Sequence, residues 1–432
     1  MDLRQKIAAG RMGGYQWMVV GLAVLLNMLD GFDVLAVAFT AKSIQTELGL
    51  DGAHIGTLMS AGLLGMTVGS MLLAPQADRF GRRPLLIFST ALSAVGMLMT
   101  YFSHSVESIA VWRVVTGLGV GGILPCTNVI VSEYSNKKWR GLAIAVYASG
   151  FGIGAMLGGM SAVFLQGSYG WRSVFLVGAG LTLAAMAVLC ALLPESVDFL
   201  LNKRPADAKA RLDKIAAKIG ITGEWTFPQA DTQAKKAKVS VLRLFEPAYR
   251  KTTLLIWLAF ITVMAGYYFI SSWTPALLEA AGMAKTQSQT VGMAISIGGA
   301  IGSLVFGVLA SRWSPRAVLI AFAGLSAAAV FAFLSAHTLA LALVFAVLLG
   351  ALMNGCVAGL YTINPSLYEA DFRSTGVGMT IGIGRLGSIL SPIAAGSLLD
   401  MGWTKNDLYG ATAAVILIAA AAVFLLKPQT RH

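Results

Sequence analysis

Apolar residues in this chain form long, nearly unbroken runs. They show neither the 3.6-residue stripe of a soluble amphipathic helix nor the alternation of a half-buried strand. A helix needs roughly 20 apolar residues to cross a bilayer. Twelve runs reach that length, near 16–40, 54–75, 84–103, 109–133, 141–165, 171–193, 252–278, 289–311, 317–336, 339–362, 375–399 and 407–426. The pattern predicts an all-α membrane protein of twelve transmembrane helices, with six in 1–193, six in 252–432 and a polar cytoplasmic linker at 194–251. The first run exceeds a signal-peptide core of about 7–15 residues and carries Asp30 and Asp33, so it reads as a span. Inside the linker, Ala208 to Ile219 puts Leu212, Ile215, Ala216 and Ile219 on one face, with Lys and Asp elsewhere. An amphipathic helix ending at Gly220 is expected there, either on the membrane surface or, the favoured reading, solvated in the cytoplasm. Residues 222–240 read as linker.

Composition agrees with this pattern. The 432 residues are 56% hydrophobic and 12% charged, with a mean hydropathy of +0.73. A soluble domain carries about 25% charged residues, so an ordinary soluble enzyme is excluded. The net charge of +12 raises the question of a nucleic-acid partner, but such a surface concentrates its basic residues on a polar domain. Here 26 of the 32 basic residues fall in segments on the side of the N-terminus. Lys42, Arg172, Lys285 and Lys405 lie on the other side, and Arg113 and Arg385 lie inside spans. By the positive-inside rule both termini are cytoplasmic. The expected setting is the cell inner membrane, with the lipid bilayer as partner, no nucleic acid, and a monomeric chain.

The two halves read as copies at a spacing near 235. Asp30-Gly31-Phe32-Asp33 aligns with Ala265-Gly266-Tyr267-Tyr268, Asp78-Arg79 with Ser311-Arg312, and Asn128 and Glu133 with Asn364 and Glu369. Parallel six-helix repeats of this kind place a substrate site between the halves near the midplane, exposed alternately to each side.

The loop after the second run, Ala74-Pro75-Gln76-Ala77-Asp78-Arg79-Phe80-Gly81-Arg82-Arg83, resembles the Gly-x-x-x-Asp-Arg-x-Gly-Arg-Arg/Lys signature of the major facilitator superfamily, with Ala74 in place of the first Gly. The resemblance extends over essentially the whole chain and implies the fold of two pseudo-symmetric six-helix bundles. It also implies a conformational latch at Asp78, Arg79, Gly81, Arg82 and Arg83. The corresponding loop keeps Arg312 but has Ser311 where the family often has Asp. Asp30-Gly31-Phe32-Asp33 is further similar to the Asp-Gly-Phe/Tyr-Asp motif of the aromatic acid:proton symporters. Gly384-Arg385-Leu386-Gly387 with Pro392, and Pro194-Glu195-Ser196, agree with that family. What the resemblance implies is proton-driven uptake of an aromatic carboxylate of the hydroxybenzoate or benzoate kind, for catabolism. It also implies a proton-coupling role for the span-four Arg, here Arg113. Ala155 after Gly154, where the superfamily's antiporters often have Pro, favours symport.

The residues argue in the same direction unaided. Asp30 and Asp33 are three apart and share a helix face. A charged carboxylate at mid-membrane costs about 2.5–3.5 kcal/mol even on the lenient insertion scale. Such a group must face water, meet a cation or take a proton, so both are candidates for proton coupling, with a fixed ion pair between helices as the alternative. Asp33 and Arg113 fall at similar depth and form the preferred switch pair. The alternative for Arg113 is a structural Arg reaching the headgroups. Arg385, near the centre of its span, is the candidate for binding a carboxylate through paired N–H donors. Phe32, Tyr147, Tyr267, Tyr268, Trp273 and Tyr361 are candidate ring walls, and Asn354 and Asn364 candidate partners for a ring hydroxyl. Glu133 with Arg140, and Glu369 with Arg373, are expected as ion pairs at cytoplasmic helix ends. No metal or cofactor is expected. Cys126, Cys190 and Cys356 are isolated and expected to be buried. The four His residues map to loops, ends or tail, and the Gly-rich run 150–159 follows no strand. A carrier of another organic acid or a sugar is the alternative function. A polytopic enzyme or chemoreceptor would need a catalytic constellation or signalling domain that the sequence lacks.

Overall fold

The computed structural model describes residues 2–221, 225–227, 241–368 and 373–426. Its helices are α1 (Leu3–Ala9), α2 (Gly14–Leu48), α3 (Gly52–Leu72), α4 (Ala77–Phe80), α5 (Arg82–Tyr101), α6 (Val106–Tyr134), α7 (Arg140–Tyr169) and α8 (Arg172–Leu192). These are followed by α9 (Val197–Lys203), α10 (Ala208–Ile219), α11 (Pro247–Ala280), α12 (Lys285–Arg312), α13 (Pro315–Leu334), α14 (Leu339–Ile363), α15 (Arg373–Asp400) and α16 (Lys405–Leu425). Among the described residues twelve stretches are long and apolar enough to cross a membrane, matching the twelve runs of the sequence. No strand occurs among the described residues.

By contact the chain forms two units. One comprises Met1–Asp33, Leu64–Gly154 and Arg172–Lys235, the other Val34–Leu63, Ala155–Trp171 and Lys236–His432. Thus α2, α3 and α7 each belong to the first unit over one stretch and to the second over another.

Close helix crossings organise both units. With little hydrophobic drive between helices in lipid, small residues that admit a neighbouring backbone supply the contact. In the first unit a Cβ on Gly65, Gly69 or Gly154 would collide with the carbonyl of Val114, Leu118 or Met28. In the second unit the same holds for Gly298, Gly302 and Gly387 against Val347, Ala351 and Ile261. Gly298 stands 233 residues after Gly65, and every other member of the second set follows its counterpart by the same step. Ser105 and Thr338, which cap α6 and α14 by accepting from Ser108 N and Leu341 N, obey it too.

This step corrects the expected alignment in the first span of each half. At 233 residues, Asp30 and Asp33 correspond to Val263 and Gly266 rather than to Ala265 and Tyr268. The Gly-aromatic pairs Gly31-Phe32 and Gly266-Tyr267 invite a two-residue slip, whereas the crossings of α2 with α7 and of α11 with α15 fix the register.

The polar linker builds a layer of its own on the first unit. The amphipathic helix is α10, with the expected bounds, closed by Gly220 in the left-handed region at φ 79°. Its apolar face is occupied by the protein. Leu212, Ile215 and Ala216 are buried in one cluster with Leu3 and Ile7 of α1, Leu200 and Leu201 of α9, and Ile130 and Tyr134 of α6. That face is therefore unavailable to a membrane surface. Residues 222–224 and 228–240 of the expected linker lie outside the described residues.

Candidate substrate and coupling sites

Two ionisable residues expected to meet in the membrane do meet. Asp33 on α2 and Arg113 on α6 are each 2% exposed. Arg113 Nη1 donates to Asp33 Oδ1, while Nη2 donates to Oδ2 at 3.0 Å and to the Asp33 carbonyl at 3.2 Å. The guanidinium carbon lies 5.9 Å from the Phe175 ring centroid on α8, and Arg113 Nε is buried with no hydrogen-bond partner. Removing one member of such a buried pair costs about 3–5 kcal/mol, because the other is left uncompensated.

Asp30, also buried, has a different environment. Gly31 lies against the carbonyl of Phe151 with no space for a Cβ, so α2 and α7 touch backbone to backbone. Asn27 Nδ2 reinforces the contact by donating to Tyr147 O at 2.7 Å. Asp30 acts electrostatically on Tyr147 of α7, whose hydroxyl meets Thr127 Oγ1 at 2.9 Å. Although three apart, Asp30 and Asp33 thus address different helices. Phe32, 2% exposed, packs with Met97 against Gly178 of α8 and is core.

In the second unit Arg385 of α15 is half-buried and within electrostatic reach of Tyr361 on α14. Tyr361 stands edge-on to Phe260 of α11, with ring centroids 5.6 Å apart, and Gly384 lies against the Phe260 ring. Three helices thus bring together a cation, a tyrosine and a phenylalanine, of which sequence reasoning named only the first two. Phe260 carried no signal beyond being one apolar residue in an apolar run.

Tyr267 and Tyr268, both half-buried, meet edge-on at 5.3 Å. Trp273 is 4% exposed and donates Nε1 to the Pro392 carbonyl at 3.1 Å. Asn354 Nδ2 donates to Gly299 O at 2.8 Å and Ser303 Oγ at 2.9 Å, tying α14 to α12. Asn364 is fully buried, its amide donating to Val377 O at 3.5 Å and its Oδ1 unpartnered. Cys126 and Cys356 are buried as expected, but Cys190 is exposed on α8. Among the described residues no cluster of His, Cys, Asp or Glu could hold a metal ion.

At the end of the first unit bearing the N-terminus, Gly81 adopts φ 100°, a conformation that favours glycine, and turns the chain into α5. Glu195 Oε1 accepts from the backbone N–H groups of Arg82 (2.8 Å), Arg83 (3.1 Å) and Ser196 (2.9 Å). Arg82 pairs with Glu133 and donates to Ser196 Oγ, which in turn donates to Glu133 Oε2 at 2.7 Å. The signature loop and the Pro194-Glu195-Ser196 feature therefore form one network.

This network overturns the expected Glu133–Arg140 pair. Gly81 and the start of α5 deliver Arg82 to Glu133 first, and Arg140 donates instead to the Ser135 carbonyl, at 3.5 Å. Asp78 is exposed, 3.8 Å from Arg82, and Arg79 stacks over Phe80. Arg83 reaches the Cys190 carbonyl on α8, and Arg316 repeats this with the Val423 carbonyl on α16, at the same 233-residue step. Arg312 is exposed. Glu369 lies outside the described residues, as does the side chain of Arg373.

In the second unit, the C-terminal part of α2 and the N-terminal end of α3 are held by α7, α12 and α15. Asp400 accepts from Gly52 N and Ala53 N, both at 2.7 Å, so a carboxylate caps the N-terminus of α3. Lys285 Nζ donates to Ser43 Oγ at 2.7 Å, and Gln289 Nε2 and Gln166 Nε2 share the Phe39 carbonyl at 3.0 and 3.1 Å. Sequence reasoning missed all of these, since they lie at helix ends in no recognisable motif.

The Major Facilitator Superfamily family model matches residues 20–288 and 256–432. A gallate transporter of Pseudomonas putida is 32% identical over 407 residues, covering 93% of this chain and 90% of that protein. The 4-hydroxybenzoate transporter PcaK of Pseudomonas aeruginosa is 32% identical over 438 residues, covering 100% of this chain and 97% of that protein. In fold, the chain is similar to the partially occluded inward open conformation of the xylose transporter XylE from E. coli. The TM-score is 0.74 at 16% identity, over 97% of this chain and 99% of that one.

Proposed function

The chain belongs to the major facilitator superfamily, and on that premise we propose that it carries an aromatic carboxylate of the hydroxybenzoate or benzoate class across the cytoplasmic membrane together with protons, by alternating access. It is a multi-pass membrane transporter and not an enzyme. The relatives named for gallate and 4-hydroxybenzoate support the substrate class. The observation that carries the coupling is the buried Asp33–Arg113 pair. A proton arriving at Asp33 cancels its charge and frees Arg113, and re-forming the pair expels the proton. Asp30 is the second acid on the route.

Arg385 takes the substrate carboxylate, with charge-assisted hydrogen bonds from its forked donors. Tyr361, backed by Phe260, and the Tyr267–Tyr268 pair supply aromatic edges and faces for the ring. Asn354 and Asn364 are the amides available to a ring hydroxyl, with Tyr147, Trp273 and Phe32 supporting the walls from within the packing. The six-helix halves 1–193 and 252–432 act as the two bundles of the transporter. The Arg82–Glu133–Ser196 network with Asp78, Arg79, Gly81 and Arg83 guards the cytoplasmic side, and Arg312, Glu369 and Arg373 are the gating candidates of the second half. Along the sequence 26 of the 32 basic residues fall in segments on the side of the N-terminus, which supports cytoplasmic termini in an inner membrane. A single chain carries both halves, so a monomer suffices.

The test is uptake of labelled benzoate, 4-hydroxybenzoate and gallate into proteoliposomes under an imposed pH gradient, acid outside. Accumulation that collapses with a protonophore is expected. One proton per monoanion moves no charge, so a membrane potential alone then drives nothing, whereas two protons make it a driving force. Uptake of none of these acids above protein-free vesicles refutes the reading.

A further inference from the structure

The basic face of α10 borders a groove of the first unit whose far wall includes Arg83 and Glu195 of the signature-loop network. Arg211, Lys214 and Lys218 are spaced at three and four residues, so they stand on one side of the helix. With Tyr15, Arg83 and the 191–195 segment they line a groove of about 250 Å³. Four basic side chains therefore surround it.

The carboxylates nearby are already occupied. Glu195 accepts from the three backbone N–H groups at the start of α5 and at Ser196, and Asp207 pairs with Arg211 at 2.6 Å. Among the described residues Lys214 and Lys218 meet no carboxylate, and Lys218 Nζ lies 5.2 Å from the Tyr15 ring centroid. A concentrated positive charge is thus held in a recess whose one lining carboxylate, Glu195, is engaged through Oε1 by backbone N–H groups.

Location decides what that counterion is. One wall of the groove is the last turn of α8, a membrane-spanning helix whose Leu192 is 48% exposed. The apolar face of α10 is buried in the protein, so the helix is fixed with its basic face beside the last turn of α8. Basic pockets beside membrane helices bind phospholipid headgroups. We propose that this groove is a binding site for an anionic phospholipid. The phosphodiester sits among Arg83, Arg211, Lys214 and Lys218, and an acyl chain runs along Leu192 into the bilayer. An anion in this place also screens the mutual repulsion of the four cations.

Native mass spectrometry of the full chain in detergent, titrated with phosphatidylglycerol and, separately, phosphatidylcholine, tests this. Phosphatidylglycerol adducts are expected on the wild type in preference to phosphatidylcholine. Lys214→Ala with Lys218→Ala should weaken the phosphatidylglycerol adduct about thirtyfold, with phosphatidylcholine unaffected. Lys214→Arg with Lys218→Arg, which keeps the charge and the fold, should restore it. Equal binding of the two lipids overturns the proposal, as does undiminished phosphatidylglycerol binding in the alanine pair. Displacement by equimolar inorganic phosphate overturns it in favour of a free phosphate as ligand.

Discussion

At the scale of single residues, charge in an apolar setting is the informative quantity. Asp33 and Arg113 were legible because a span offers so few ionisable groups, and the structure joins them in a bidentate pair. Asp33→Asn retains an acceptor for Arg113 but cannot carry the proton. Gradient-driven accumulation should fall to the gradient-free rate, while exchange of labelled for unlabelled substrate persists. Full accumulation by this variant would remove Asp33 from coupling. Arg385→Ala should raise the KM for a benzoate-type anion about ten- to a hundredfold, the loss of one or more hydrogen bonds to a charged group. The neutral amide analogue should lose little, and equal losses would mark Arg385 as structural. Aromatic positions were less legible, because Phe, Tyr and Trp occur throughout spans for packing alone. Phe32 and Trp273 prove deeply buried, while Phe260, which nothing in the sequence singled out, backs Tyr361 beside Arg385. The partner of Glu133 was illegible for another reason. It comes from the turn at Gly81, 51 residues away along the chain at Arg82, and not from the nearest Arg.

At the scale of elements, the apolar runs gave the number and order of spans, since their length reflects the bilayer itself. The ends of those spans, and the contacts made there, depend on partners distant in the chain and could not be read. Glycines behave similarly, because their abundance in spans hides which ones admit a neighbour. Gly31 faces the Phe151 carbonyl, whereas Gly21 on the same helix has open space around it. Gly31→Val should therefore destabilise the purified protein by about 1–3 kcal/mol, the usual penalty of overpacking. Gly21→Val should be nearly neutral. Thermal unfolding in detergent measures both, and equal shifts would mean that the α2–α7 crossing is looser than the backbone approach indicates.

At the scale of the whole molecule, the duplicated architecture was visible in the sequence, but its register was not. Weak identity allowed a slip that only backbone contacts could correct. The contact between Asp400 and the start of α3 acts at this scale, because it joins a helix of the first sequence half to one of the second. A carboxylate at a helix N-terminus contributes about 0.3–1 kcal/mol, enough to bias an equilibrium between conformers severalfold. In a background lacking Cys126, Cys190 and Cys356, Asp400→Ala should accelerate labelling of a cysteine placed at Ser43 by a membrane-impermeant maleimide applied from outside. An unchanged rate would deny Asp400 any part in closure. The docking of α10 bears on anyone who wishes to tag or split this chain. The polar segment invites an inserted epitope or fluorescent domain between the halves, yet from Ser196 to Ile219 it is a folded tier whose leucines and isoleucines are sealed against α1 and α6. An insertion within that tier would open a core, and the hydrophilic appearance of the segment gives no warning of it.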